Sequence, residues 1–264
     1  MLLGIDHLVV AVRDPDTAAM RLERTIGLAF TGGGRHGHAG TFNRLAFLGD
    51  TYLELIGVFD RGLVLASQTF AVGRAALALL DAGHEGLVTY ALASDDIERD
   101  VRALWAAGSP IGEPVAGSRV RPDGGVVRWI TALPDLGPDR PPFLIEHEHA
   151  DAEWGPEARA GRAAFRHPVG GRVRLTGLEI PVAHPRSTAA AYAATVGVEL
   201  DADDRSVVGD QSIRLRPADG APPVVRLAAE PGTPTLDLVR FGIRWTRRSS
   251  LASRPAGARR GRLG

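Results

Sequence analysis

Three strand-like runs each carry a side chain able to bind a metal ion or move a proton: His7 in GIDHLVVAV, Glu54 in TYLELIGV and Glu146 in FLIEHE. A carboxylate set among apolar residues, as Glu54 is, is costly to bury unless it is paired, hydrogen-bonded or bound to a cation. An imidazole nitrogen and two carboxylates brought together from separate strands would suit a divalent ion such as Zn, Fe, Mn or Ni. Such a site leaves coordination positions open for a ligand, which Lewis-acid catalysis needs. Glu54 and Glu146 are also the candidate general bases. His147, Glu148 and His149 alternate faces, so only part of that cluster can turn inward with a given strand face.

Ahead of Glu54 lies GGGRHGHAGT, rich in glycine and histidine. It reads as the rim of a pocket, with Arg35 and His36 supplying charge toward an anionic group. Thr41 and Asn43 share one face of the strand that follows, where they are candidate substrate-binding residues. Trp105 and Trp129 read as core packing.

Composition removes several chemistries. The chain of 264 residues has no cysteine, so disulfides, thiolate catalysis and thiolate metal ligation are excluded. Every basic residue is arginine, which excludes Schiff-base chemistry and a Walker lysine. Residues 240–264 hold eight arginines and no acids, leaving 23 arginines against 31 acids elsewhere, a balance of −8. An acidic body with a basic end does not fit a nucleic-acid enzyme. No apolar run is long enough for a membrane span, and the opening MLLGIDHLVVAV has neither a basic leader nor a small-residue cleavage site. The expectation is a cytoplasmic protein, monomer or homodimer, that meets a small-molecule substrate or ligand and neither nucleic acid nor membrane.

The elements that must position these residues come in a recurring order. Residues 4–12 alternate as a strand. Asp14-Pro15-Asp16 opens a helix that Gly27 stops. Strands follow near 28–31, at 42–48 and at 51–58, the last two joined by Gly49-Asp50 as a tight hairpin. HPRSTAAAYAATVGVEL (184–200) lies over DPDTAAMRLERTIGLAF (14–30) without a gap, and a fainter copy begins at Gly86. A connecting helix is expected from Gln68 to Ala82. The predicted class is α+β, with repeated βαβββ modules: two (1–60 and 84–150) paired into a cupped mixed β-sheet within 1–167, and a third, partial module at 168–244. Leu236–Ile243 is read as the start of a fourth. Residues 245–264, rich in arginine, serine and glycine, are expected to be disordered.

DHLVVAV, YLELIG and FLIEHE, set in repeated βαβββ modules, resemble the glyoxalase/bleomycin-resistance group, the vicinal-oxygen-chelate superfamily. GGGRHGHAGTFNRLAFLGDTYLELIGV with the later RHPVGGRVRLTGLEIPV resembles its bacterial glyoxalase-like domain proteins. The resemblance covers about residues 4–230 and is strongest over 4–58. It implies metal ligands at His7 and Glu54 from the first module and Glu146 from the second. The fourth expected ligand falls near Leu87, which has no metal-binding side chain, with His84 or His147 as substitutes. In the third module Gly177 stands in place of His7, and Arg226 is read at the place of the acid. Two functions follow: a metal-dependent enzyme of isomerase, lyase or dioxygenase type acting on a small oxygenated metabolite, or a metal-free protein that sequesters a drug or metabolite.

Overall fold

In the computed structural model, described for residues 2–67, 70–137, 139–149 and 153–249, the first strand β1 (Leu2–Ala11) leads through helix α1 (Pro15–Ile26) to β2 (Gly32–His36), β3 (Thr41–Leu48) and β4 (Thr51–Val58). Helix α1 starts where the sequence says: the Asp14 carboxylate accepts the N–H groups of Asp16 and Thr17, Pro15 fills the first turn, and Gly27 ends the helix at φ 72°. Two helices follow, α2 (Arg61–Ala66) and α3 (Ala71–Asp81), where one connecting helix was expected; residues 68 and 69 lie outside the described residues. The second module is β5 (Gly86–Ser94), α4 (Ile97–Ala106), β6 (Val115–Val120), β7 (Val126–Ala132) and β8 (Phe143–His147).

The paired modules do form a curled mixed sheet, and it closes on itself as a barrel in the order β1-β4-β3-β2-β6-β7-β8-β5. Closure explains the glycines. The strand expected near residues 28–31 is instead β2, built from Gly32-Gly33-Gly34, which meets β6 at Arg35–Val120. A Cβ on Gly34 would lie 2.2 Å from the Val120 carbonyl oxygen, and one on Gly33, at φ 137°, 2.3 Å from that of Asn43. Gly34 is glycine where two modules touch backbone to backbone, and Gly33 where β2 passes close to β3 at a positive φ.

After α5 (Pro156–Ala164) comes a second, open sheet: β9 (Val173–Val182), α6 (Pro185–Val196), β10 (Arg205–Val208), β11 (Gln211–Pro217), β12 (Val224–Ala229), β13 (Leu236–Arg240) and β14 (Ile243–Ser249), ordered β10-β11-β9-β12-β14-β13. Its pairing reproduces the barrel's. β11 runs parallel to β9 as β4 does to β1, β12 antiparallel to β9 as β5 does to β1, and β14 parallel to β12 as β8 does to β5. The sheet is the same double arrangement without counterparts of β2, α4 and β6. The fourth copy therefore starts at Val224, not Leu236. The residue standing where Glu54 stands in the barrel is Arg214, which pairs with Glu179 as Glu54 pairs with Val9, and not Arg226.

Two stretches depart further from expectation. Residues 245–249 of the end expected to be disordered belong to strand β14, whose Trp245 is fully buried; alternation there puts Ile243, Trp245 and Arg247 inward and leaves arginines 244 and 248 in solvent. Residues 250–264 lie outside the described residues. The turn at 168–171 does not interrupt the core, because one apolar cluster runs from Leu8, Leu22 and Ile97 through Leu178, Ile213 and Trp245. Gln211 ties the sheets together directly, accepting the Ile5 N–H (3.1 Å) and donating to the Thr51 hydroxyl (3.2 Å).

Candidate functional site

Inside the barrel, α3 packs Val72 and Ala76 against Val9, Ile56 and Phe143 on one side, while Phe47, Tyr52, Val127 and Trp154 cluster on another. With these apolar groups lies a buried polar layer: Asp6, His7, His36, Asn43, Glu54, Arg119 and His147. Most of it, with Tyr52, Trp129 and Phe143, lines a pocket of about 850 Å³ of atom-free space, counting the part open to solvent.

The layer depends on a β-bulge. Opposite β5, Ile5 faces Leu92 and His7 faces Ala91, leaving Asp6 as an extra residue on β1. A bulge re-aims side chains that strict alternation would send to opposite faces. Asp6 and His7 therefore both reach the interior, where Asp6 Oδ1 accepts a hydrogen bond from His7 Nδ1 (2.6 Å) and another from His147 Nε2 (3.1 Å). Burial pushes the Asp6 carboxyl up, but the charges and hydrogen bonds of His147 and His7 outweigh it and hold the group well below the usual carboxylate range, ionised.

Fixing the proton on Nδ1 leaves His7 Nε2 as its reactive nitrogen, 3.7 Å from Glu54 Oε2. Glu54 is itself oriented: its Oε1 accepts from Asn43 Nδ2 at 2.6 Å, and Asn43 Oδ1 accepts the Gly34 N–H at 2.9 Å. Tyr52 stacks on the His7 ring at 4.4 Å, and burial, with Asp6 and Glu54 nearby, keeps its phenol protonated. Trp154 stacks on His147 at 3.7 Å, and His147 Nδ1 is buried with no hydrogen-bond partner among the described residues. Arg119 donates from one guanidinium nitrogen to both Glu153 oxygens (2.6 Å each) and from another to the Gly33 carbonyl (2.9 Å).

The sequence-predicted residues divide. His7, Glu54, Asn43 and His36 meet in the pocket. Thr41 is buried beside it, its hydroxyl 2.9 Å from His36 Nδ1. Burial and the neighbouring Arg119 lower the His36 pKa to about 3, so this imidazole is neutral. Arg35 is not a pocket residue; alternation along β2 turns it outward, its guanidinium over the Phe59 ring at 3.9 Å. Glu146 is not one either. On β8, Ile145 and His147 face in, and Glu146 faces out to accept the Ile97 N–H at the start of α4 (2.8 Å). His84 and His149 are exposed. Trp129, expected in the core, lines the pocket, while Trp105 is 42% exposed. Sequence reasoning passed over Asp6, Tyr52 and Arg119. Asp6 carries one usable signal, an acid directly beside His7.

The metal implied by the resemblance can be tested on the donors present. The pairings His7–Ala91 and Val9–Thr89 define a pseudo-twofold axis that exchanges His7 with Thr89, and through Val9–Glu54 and Ala91–Phe143 exchanges Glu54 with Phe143. The missing second-module ligand therefore falls at Thr89, not Leu87, and the other at Phe143. His7 and Glu54 could share an ion, but the second module offers a hydroxyl and a phenyl ring, and His147 Nε2 is committed to Asp6. Among the described residues no group of three or more His, Asp or Glu side chains could hold a metal ion. The residues do not fit the expected centre.

A family profile described as a glyoxalase-like domain matches residues 5–196. Among solved structures, a hypothetical protein from Staphylococcus aureus is 16% identical with a TM-score of 0.76, over 95% of this chain and 100% of that one, so the whole two-sheet fold is shared. Methylmalonyl-CoA epimerases from Streptomyces coelicolor (20% identical, TM-score 0.41, 58% of this chain and 99% of that one) and Mycobacterium tuberculosis (18%, 0.39, 54% and 87%) are similar over part of it. No curated protein matches the chain in sequence.

Proposed function

Since the chain belongs to the glyoxalase-like domain family, we propose that its barrel pocket takes a small oxygenated metabolite and moves a proton on it, in the manner of an isomerase or lyase, using protein side chains alone. The observation that carries this reading is the 2.6 Å hydrogen bond from His7 Nδ1 to the ionised Asp6, which leaves Nε2 to act as base. A proton on carbon next to a carbonyl would pass to Nε2 as its bonding pair moves into an enolate. The resulting imidazolium is stabilised by Asp6, and Glu54, 3.7 Å away, is placed to take or return the proton. Tyr52, stacked on His7, holds the ring plane.

Exchange of substrate hydrogen with solvent tests the reading without knowledge of the natural substrate. A panel of 2-oxo acids and 2-hydroxyketones incubated in D2O and followed by proton NMR should include members whose α-hydrogen is lost with wild-type protein. His7→Ala should slow that loss on the order of a hundredfold, in line with general-base contributions. Equal exchange in wild type and variant would overturn the proposal. A second reading, sequestration of a planar molecule, is favoured by the aromatic lining of Tyr52, Phe70, Trp129, Phe143 and Trp154; panel members that bind but never exchange would support it.

A further inference from the structure

Arg119 is 5% exposed, yet it lines the same pocket as His7 and Glu54. Its Nη2 donates to both Glu153 oxygens, and its Nη1 donates to the Gly33 backbone carbonyl. Glu153 does not belong to the barrel wall; it lies between β8 and α5. Its neighbour Trp154 lies flat on His147, which shares Asp6 with His7. Two consecutive residues thus set a carboxylate and an aromatic ring against the barrel's buried cation and one of its imidazoles.

We infer that Arg119 is the pocket's recognition site for a ligand carboxylate and that Glu153 is an internal stand-in which such a ligand displaces. The inference rests on the reading of this pocket as a small-molecule site and names its ligand class, a small carboxylic acid. A buried guanidinium without an anion is strongly unfavourable, so Arg119 needs a carboxylate in either state. Exchange of Glu153 for a ligand carboxylate keeps that charge balance, and the planar guanidinium fork suits either partner equally. A neutral ligand would gain nothing from Arg119 while Glu153 remains in place.

Benzoate and benzamide, alike in shape and different in charge, are the probes, titrated calorimetrically into full-length protein. Glu153→Gln should bind benzoate about tenfold more tightly than wild type, the gain expected when a competing charged hydrogen-bond partner is removed. Benzamide affinity should not change. Arg119→Gln should lose the preference for benzoate. If Glu153→Gln proves poorly folded, Glu153→Asp, with a shorter reach, should show a smaller gain of the same sign. Added benzoate should also raise the melting temperature of Glu153→Gln more than that of wild type. The inference fails if benzoate and benzamide bind Glu153→Gln alike, or if Arg119→Gln retains the preference. Benzoate has no exchangeable α-hydrogen, so this outcome is independent of the solvent-exchange result that tests proton transfer.

Discussion

Replacing Asp6 by asparagine removes the charge on which the interior polar layer is built. The carboxylate accepts from His7 Nδ1 at 2.6 Å and His147 Nε2 at 3.1 Å, with both imidazoles buried. Hydrogen bonds to a charged group contribute about 1.5–3 kcal/mol each, and an asparagine carbonyl can still accept from one imidazole as a neutral acceptor. The expected loss is about 3 kcal/mol at pH 7, roughly 6–12 °C in melting temperature for a chain of this size. The sign with pH follows from the depressed carboxyl. Its native pKa lies below the unfolded value of 3.8, so the unfolded chain takes up the proton first on acidification. The stabilisation is complete above that value and is lost as pH falls beneath it. Urea denaturation of wild type and Asp6→Asn at pH 7, 5, 4 and 3 should show a gap of about 3 kcal/mol that narrows only in the last steps. A gap below about 0.5 kcal/mol at pH 7, within the scatter of ordinary surface substitutions, or one that widens with acid, would refute the reasoning.

Other outcomes follow from the same geometry. Glu146→Ala should cost about 1 kcal/mol in urea melts through the lost hydrogen bond at the start of α4 and leave solvent-hydrogen exchange unchanged; loss of exchange would return Glu146 to the site. Gly34→Ala should destabilise by about 1–3 kcal/mol, because its methyl would meet the Val120 carbonyl where the barrel closes. Trp245→Ala should cost about 3–5 kcal/mol, whereas a disordered end would make the same change neutral. The His36 ring resonances in NMR should not titrate between pH 5 and 8, since burial and Arg119 hold this imidazole neutral.

Much of the fold was legible because it repeats. Asp14-Pro15 and Gly27 mark helix ends by local chemistry, and the DPDT and HPRS segments align because the same turn into a helix is built twice. What the sequence hid depends on long-range pairing. β6 escaped because VAGSRV is short and polar, with no apolar face to announce it. Glu146 was preferred to His147 because the resemblance implied a ligand there, whereas the register of β8 against β7 sets His147 opposite the pocket residue Trp129. Asp6 was passed over because strict alternation places it on the face opposite His7; a bulge, set by the partner strand, cancels that rule.

The same bulge is present in the second sheet, where Leu175 faces Leu227, Gly177 faces Arg226, and Thr176 is the extra residue. The repeat therefore carries an extra residue at the same place in both copies, and only the barrel's copy bears a reactive pair there. Grafting Asp and His onto positions 176 and 177 would not found a second centre. A Cβ at Gly177 would lie 2.5 Å from the Ser212 hydroxyl oxygen, and among the described residues no counterparts of β2 and β6 close the sheet over that position. In this architecture the bulge supplies the address for a reactive pair, and closure of the barrel supplies the dry interior in which that pair can work.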